Sequence, residues 1–163
     1  MVHRSSRVVD RSEAVDQCRR WQASGESVVL TNGCFDLLHV GHLRYLQAAR
    51  RLGRLIVGLN SDESVRSLKG PARPLVAQAE RAELLAALRC VDRVTIFGEP
   101  TAEALLADLR PNVYVKGADY GPAGRDLPES VVAERVGARV VFIDLVPGRS
   151  TTGLVDTIRR GAA

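Results

Sequence analysis

From Val28 onward, short runs of Val, Ile and Leu alternate with longer stretches in which apolar residues return every three or four positions. Short apolar runs mark buried strands and the longer periodic stretches mark amphipathic helices. The alternation therefore predicts a parallel sheet covered by helices on both faces. Strands are predicted at 27–31, 55–59, 93–97, 113–116 and 139–143, each rich in Val, Ile or Leu. Helices are predicted at 40–52, 62–68, 78–88, 101–109, 128–136 and 152–160, with another at 12–23 ahead of the first strand. Gly53 and Gly137 follow periodic runs where a left-handed C-terminal residue is expected, and Asp62 and Thr101 stand where N-caps are expected. The fold class is α/β, a single doubly wound sheet of five parallel strands.

The chain of 163 residues, 45% of them hydrophobic, suits one domain with one sizeable core. It divides into an N-terminal tail and helix, 1–26, and a core, 27–163. No stretch approaches the roughly 20 apolar residues of a membrane helix, and the opening MVHRSSRVVDRSE lacks the apolar run of a signal peptide. A cytoplasmic protein without a membrane partner is expected. Cys18, Cys34 and Cys90 are scattered without a CxxC spacing, which points to reduced thiols rather than a metal site. The net charge of +4 comes from dispersed arginines, and with only 4% aromatics there is little on which to stack bases. Nucleic acid is accordingly not an expected partner, whereas a basic balance suits polyphosphate ligands.

In a doubly wound sheet, ligands bind outside the carboxyl ends of the strands, so the strand-to-helix turns hold the chemistry. The first of them reads TNGCFDLLHVGHLRYL. Gly33 allows a tight turn with amides open to a ligand, and Gly41 removes a side chain where a nucleotide would meet the helix start. His39 and His42 stand three apart at that helix entrance, on one side of its first turn and beside the positive end of its dipole, so both can donate to one anion. The turn matches neither GxGxxG nor GxxxxGK[ST], which disfavours the dinucleotide fingerprint and the kinase-type phosphate loop. The long irregular segment KGPARPLVA, 69–77, is the loop best suited to cover such a site.

The residues His39, Val40, Gly41 and His42 resemble the HxGH motif of the cytidylyltransferase-like nucleotidyltransferases, whose sheet is Rossmann-like. Ser150, Thr151 and Thr152, in GRSTTGLV, resemble the same family's Ser-Thr-Thr segment at the start of the last helix. Longer phrases are similar to the adenylyltransferase domain of ADP-heptose synthases: TNGCFDLLHVGH, GLNSDESVRSLKGPARP, ERAELLAALRCVD, VKGADY and GRSTT. In many members a sugar-kinase domain precedes that domain. A chain of 163 residues would be a stand-alone form.

The resemblance implies transfer of AMP from ATP to D-glycero-β-D-manno-heptose 1-phosphate with release of pyrophosphate, magnesium as cofactor, and a homodimer. It implies catalytic roles for His39, His42 and Lys69. Nucleotide contacts would come from Asn32, Gly33, Cys34, Phe35, Asp36, Gly41, Lys116, Gly117, Asp119, Ser150, Thr151 and Thr152. Asp62, Arg73 and Arg81 are candidates for the sugar phosphate, with plain surface charge as the alternative for the arginines and helix capping for Asp62. Asp36 and Asp119 could hold magnesium, directly or through water, or orient backbone and ribose. Cys34 reads as a small packed residue, since the reaction needs no thiolate. The segment 121–130, GPAGRDLPES, departs from the family pattern and leaves base and sugar preference open. Rival expectations are CTP as donor, another sugar or polyol phosphate as acceptor, and a nucleotide-binding regulatory module without turnover.

Overall fold

The computed structural model describes residues 5–118, 127–148 and 150–161. The elements run in the order α1 (Arg11–Ala23), β1 (Val28–Gly33), α2 (Val40–Arg50), β2 (Arg54–Asn60), α3 (Asp62–Lys69), α4 (Gln78–Ala87), β3 (Arg93–Phe97), α5 (Glu103–Leu109), β4 (Val113–Gly117), α6 (Pro128–Val136), β5 (Arg139–Ile143) and α7 (Thr151–Gly161). The strands form one parallel sheet in the order β3-β2-β1-β4-β5. This is the predicted Rossmann-like α/β class.

Strand side chains alternate between two cores, as a pleated strand covered on both faces requires. Val29, Leu55, Val57, Leu59 and Val115 pack with Leu46 of α2 and Leu85 of α4 on one face. Val28, Leu30, Ile56 and Tyr114 pack with Cys18 of α1, Leu105 of α5 and Val132 of α6 on the other. No helix among the described residues is long and apolar enough to cross a membrane.

The caps differ from expectation in instructive ways. Asp10 starts α1 through a capping box with Glu13. Ser61, not Asp62, caps α3 by accepting from the Ser64 amide. Thr101 caps nothing: α5 begins two residues later, and the Thr101 hydroxyl donates to Glu103 instead. Gly137 is left-handed as predicted, at φ 77°. Gly53 serves a different purpose, because α2 already ends at Arg50. A Cβ on Gly53 would lie 2.3 Å from the Ser27 carbonyl oxygen, so the turn into β2 depends on backbone meeting backbone.

The strand order reverses between β1 and β4. At that point the connections leaving the sheet diverge, and a crevice opens above the carboxyl ends of both strands.

Candidate active site

A cavity of about 310 Å³ occupies this crevice. Its wall brings together Asn32, Gly33, Cys34, Phe35 and Asp36 after β1, His39, Gly41 and His42 at the start of α2, and Lys69 at the end of α3. Lys116 and Gly117 close β4's side, and Ser150, Thr151 and Thr152 supply the start of α7. Every predicted catalytic residue and all but one of the predicted nucleotide contacts therefore share one cavity. The exception, Asp119, lies outside the described residues.

The turn after β1 is shaped by Phe35 rather than by Gly33. Phe35 is left-handed at φ 45° and buried, a conformation that costs a bulky residue roughly 1–3 kcal/mol and so requires surrounding structure to hold it. Gly33 makes room for the ring: a Cβ there would stand 3.0 Å from Phe35 Cε2.

His39 is itself the N-cap of α2, its Nδ1 accepting from the Gly41 amide at 3.1 Å. That bond fixes the tautomer and leaves Nε2 as the protonated, donating nitrogen. The His42 ring stacks on His39 with centroids 3.8 Å apart and leans on Phe35 at 5.2 Å. Burial first, then the neighbouring His39 and Lys69, push the His42 pKa down to about 4, with the Leu37 backbone pulling the other way. His42 is thus neutral at pH 7. Its buried Nδ1 makes no hydrogen bond to the described residues.

Further residues tune the walls. Asn32 Oδ1 accepts from the Tyr114 hydroxyl at 2.6 Å. Lys116, buried, lies 3.6 Å from Glu129 of α6. Ser150 Oγ accepts from the Gly153 amide, so it caps α7 and lines the cavity at once. The Cys34 thiol is raised by burial, which Lys69 and Arg81 oppose, so it stays protonated as the packed residue expected.

Tyr45, Leu145 and Val146 also line the cavity and were not anticipated. Tyr45 stands one helical turn beyond His42 and its hydroxyl meets Thr31 Oγ1 at 2.7 Å and the Val115 carbonyl at 3.1 Å. The i, i+3 spacing from His42 was its available signal. Leu145 and Val146 belong to an irregular segment that offers no period.

Three predicted substrate residues stand elsewhere. Arg81 has no solvent exposure and bonds the carbonyls of Val76, Cys34 and Asn60 together with the Asp62 carboxylate. It is neither a free surface charge nor a group open to sugar phosphate. Asp62 is taken up by that contact, while its amide receives Gln78 Oε1. Arg73 bonds Asp36 at 2.6 Å.

Asp36 does not fit a direct magnesium ligand. One of its oxygens accepts from the Leu75 and Val76 amides and the other from Arg73, and its side chain is 1% exposed. Among the described residues no cluster of three or more His, Cys, Asp and Glu side chains is placed to hold a metal ion.

Residues 30–140 match the cytidylyltransferase-like family. The bifunctional protein HldE of Syntrophotalea carbinolica is 58% identical over 138 residues, which cover 82% of this chain and 27% of that protein. The bifunctional protein HldE of Magnetococcus marinus is 51% identical over 158 residues, 94% of this chain and 31% of that protein. The chain thus spans less than a third of the length of these curated relatives. Among solved structures, the lipopolysaccharide core biosynthesis protein from Thermoplasma volcanium GSS1 superimposes with a TM-score of 0.60 at 25% identity. The match covers 75% of this chain and 98% of that one.

Proposed function

This chain is a nucleotidyltransferase of the cytidylyltransferase-like family, and on that premise we propose that it transfers AMP from ATP to D-glycero-β-D-manno-heptose 1-phosphate, releasing pyrophosphate. The observation that carries the reading is the stacked pair His39 and His42 at the entrance of α2, sharing one cavity with Lys69, the amides after β1 and the start of α7. The long phrases shared with heptose-phosphate adenylyltransferase domains, and the identity to bifunctional HldE proteins, support the choice of substrates.

The acceptor phosphate oxygen is already ionised and attacks the α-phosphorus while pyrophosphate leaves in line, so no strong general base is needed. What the residues must do is hold the two substrates in line and meet the charge that grows on the phosphate oxygens. His39 donates from Nε2, the nitrogen its capping bond leaves protonated. His42, desolvated between His39 and Phe35, takes up a proton more readily when a phosphate stands beside it than when none does. Lys69 brings a cation from the rim, and Thr151 and Thr152 offer the first amides of α7 to the anion. Magnesium would supply charge neutralisation of the triphosphate. Asp36 would not hold it directly, since both its oxygens are taken by Arg73 and by the Leu75 and Val76 amides. The three free cysteines agree with a cytoplasmic setting, which we also propose.

The test is pyrophosphate release in the presence of magnesium, with ATP and CTP separately, against heptose 1-phosphate and a panel of other sugar and polyol phosphates. Release with ATP and heptose 1-phosphate, reduced about 10²-fold by His42→Ala, is the expected result. Release with another pair would move the substrate assignment. Tight nucleotide binding with no release for any pair would replace the enzyme reading by that of a regulatory module.

A further inference from the structure

We propose that Arg81, which does not itself line the cavity, is a positioning residue for the transfer: it holds the turn after β1 and the loop after Lys69 in fixed relation to each other. The inference rests on the reaction proposed above, but its structural half stands without it.

Arg81 projects from the first turn of α4 and is completely buried. Its Nε donates to the Val76 carbonyl at 2.9 Å, Nη1 to the Cys34 carbonyl at 2.5 Å and the Asn60 carbonyl at 2.9 Å, and Nη2 to Asp62 Oδ1 at 2.8 Å. One rigid guanidinium thereby joins four segments: the phosphate turn, the end of β2, the start of α3 and the loop that follows Lys69. Three of the four acceptors are peptide carbonyls, and its one carboxylate partner is partly exposed. Burying a cation on such terms is expensive and would be needless if packing alone were required, since apolar residues fill such a space more cheaply.

What the arrangement secures is local. By taking the Cys34 carbonyl from behind, Arg81 fixes the peptide next to Phe35, whose left-handed backbone needs outside support. The same peptide belongs to the wall that faces the phosphates. At the other end, the Val76 carbonyl bound by Arg81 belongs to the residue whose amide bonds Asp36, and Arg73 also bonds Asp36. Turn and loop are therefore tied at two shared nodes, Arg81 and Asp36. Lys69, just ahead of the loop, and His42, just behind the Phe35 ring, inherit their spacing from those ties. The charge of Arg81 also reaches the cavity wall: it is among the groups that hold down the Cys34 thiol pKa against burial.

Lysine keeps the charge but offers one ammonium in place of a planar fork, so it cannot span the four acceptors. Arg81→Lys is the decisive variant, compared with wild type for melting temperature, nucleotide affinity and turnover, and for the backbone amide shifts of Gly33, Cys34 and Phe35 by NMR. We expect a protein folded at the assay temperature, displaced Cys34 and Phe35 amides, kcat lower by about tenfold or more, and nucleotide Kd changed by less than about threefold. Wild-type kcat with unmoved amides would overturn the proposal. So would a variant that is unfolded, or whose activity falls only in proportion to its folded fraction, since Arg81 would then serve stability alone. An inactive wild type would sink the proposed reaction instead, while the amide shifts would still decide whether Arg81 sets the turn.

Discussion

At the scale of one residue, His42 shows how a site can tune a ring without touching a ligand. Its pKa of about 4 results first from burial, then from repulsion by His39 and Lys69. The unfolded chain protonates this ring near 6.5, whereas the folded chain refuses the proton until about pH 4. The stability contributed by keeping it neutral is therefore complete above pH 6.5 and is lost as pH falls from there toward 4. His42→Asn should flatten the fall in stability between pH 6.5 and 4.5, measured by chemical denaturation at several pH values. A bound triphosphate reverses the local sign, because an anion beside the ring favours its charged form. Ring NMR should place the midpoint near 4 in the free protein and distinctly higher with ATP bound. A midpoint near 6.5 in the free protein would contradict the buried, stacked geometry.

Among elements, α2 combines two duties in His39. Its Nδ1 caps the helix while its ring lines the cavity in which we propose the transfer takes place, and the two duties can be separated by substitution. Asparagine is among the best N-caps, so His39→Asn should leave the melting temperature near that of wild type while turnover drops about 10²-fold. His39→Ala removes the cap as well and should lose about 1 kcal/mol of stability for the same loss of turnover. Thermal melts beside pyrophosphate assays check both; equal stability of the two variants would mean the capping bond contributes nothing. The existence of α2 was legible from the apolar period, and its two histidines were legible from spacing. That one of them also caps the helix was not, because a histidine has no strong capping preference and the bond appears only once the backbone bends at residue 39.

The same contrast separates what could be read for the molecule as a whole. Runs of Val, Ile and Leu announced five strands and their parallel order of winding, since each buried strand must be covered on both faces and each crossover needs a helix. The wall of the cavity was legible too, because HxGH and STT sit at strand-to-helix junctions that any doubly wound sheet brings to one edge. What Arg81, Arg73 and Asp36 bind within the chain was not legible. Their residue types announce charge, but a sequence does not say whether the partner is a ligand or a stretch of chain forty residues away.

The architecture also has a seam. β1 pairs with β2 along its length from Val28 to Gly33, but with β4 only through Val29, Leu30 and Thr31. The cavity opens above that shorter pairing and is closed on one side by α7, which buries none of its residues. A helix so lightly packed opens at little cost, and exchange at its amides reports that opening. A nucleotide gripped by the β1 turn, Lys116 and the start of α7 would bridge the seam and tie the helix down. Ligand that binds only the closed form stabilises it by mass action, about 2.7 kcal/mol at a hundredfold excess over Kd. Hydrogen exchange followed by mass spectrometry should therefore show α7 exchanging fast in the free protein and slowly with saturating ATP, with protection also at residues 113–117. The face formed by α1, α5 and α6, remote from the cavity, should change little. Protection spread evenly over both faces would mean that ATP stabilises the fold globally, and no protection at α7 would remove Thr151 and Thr152 from the nucleotide's contacts.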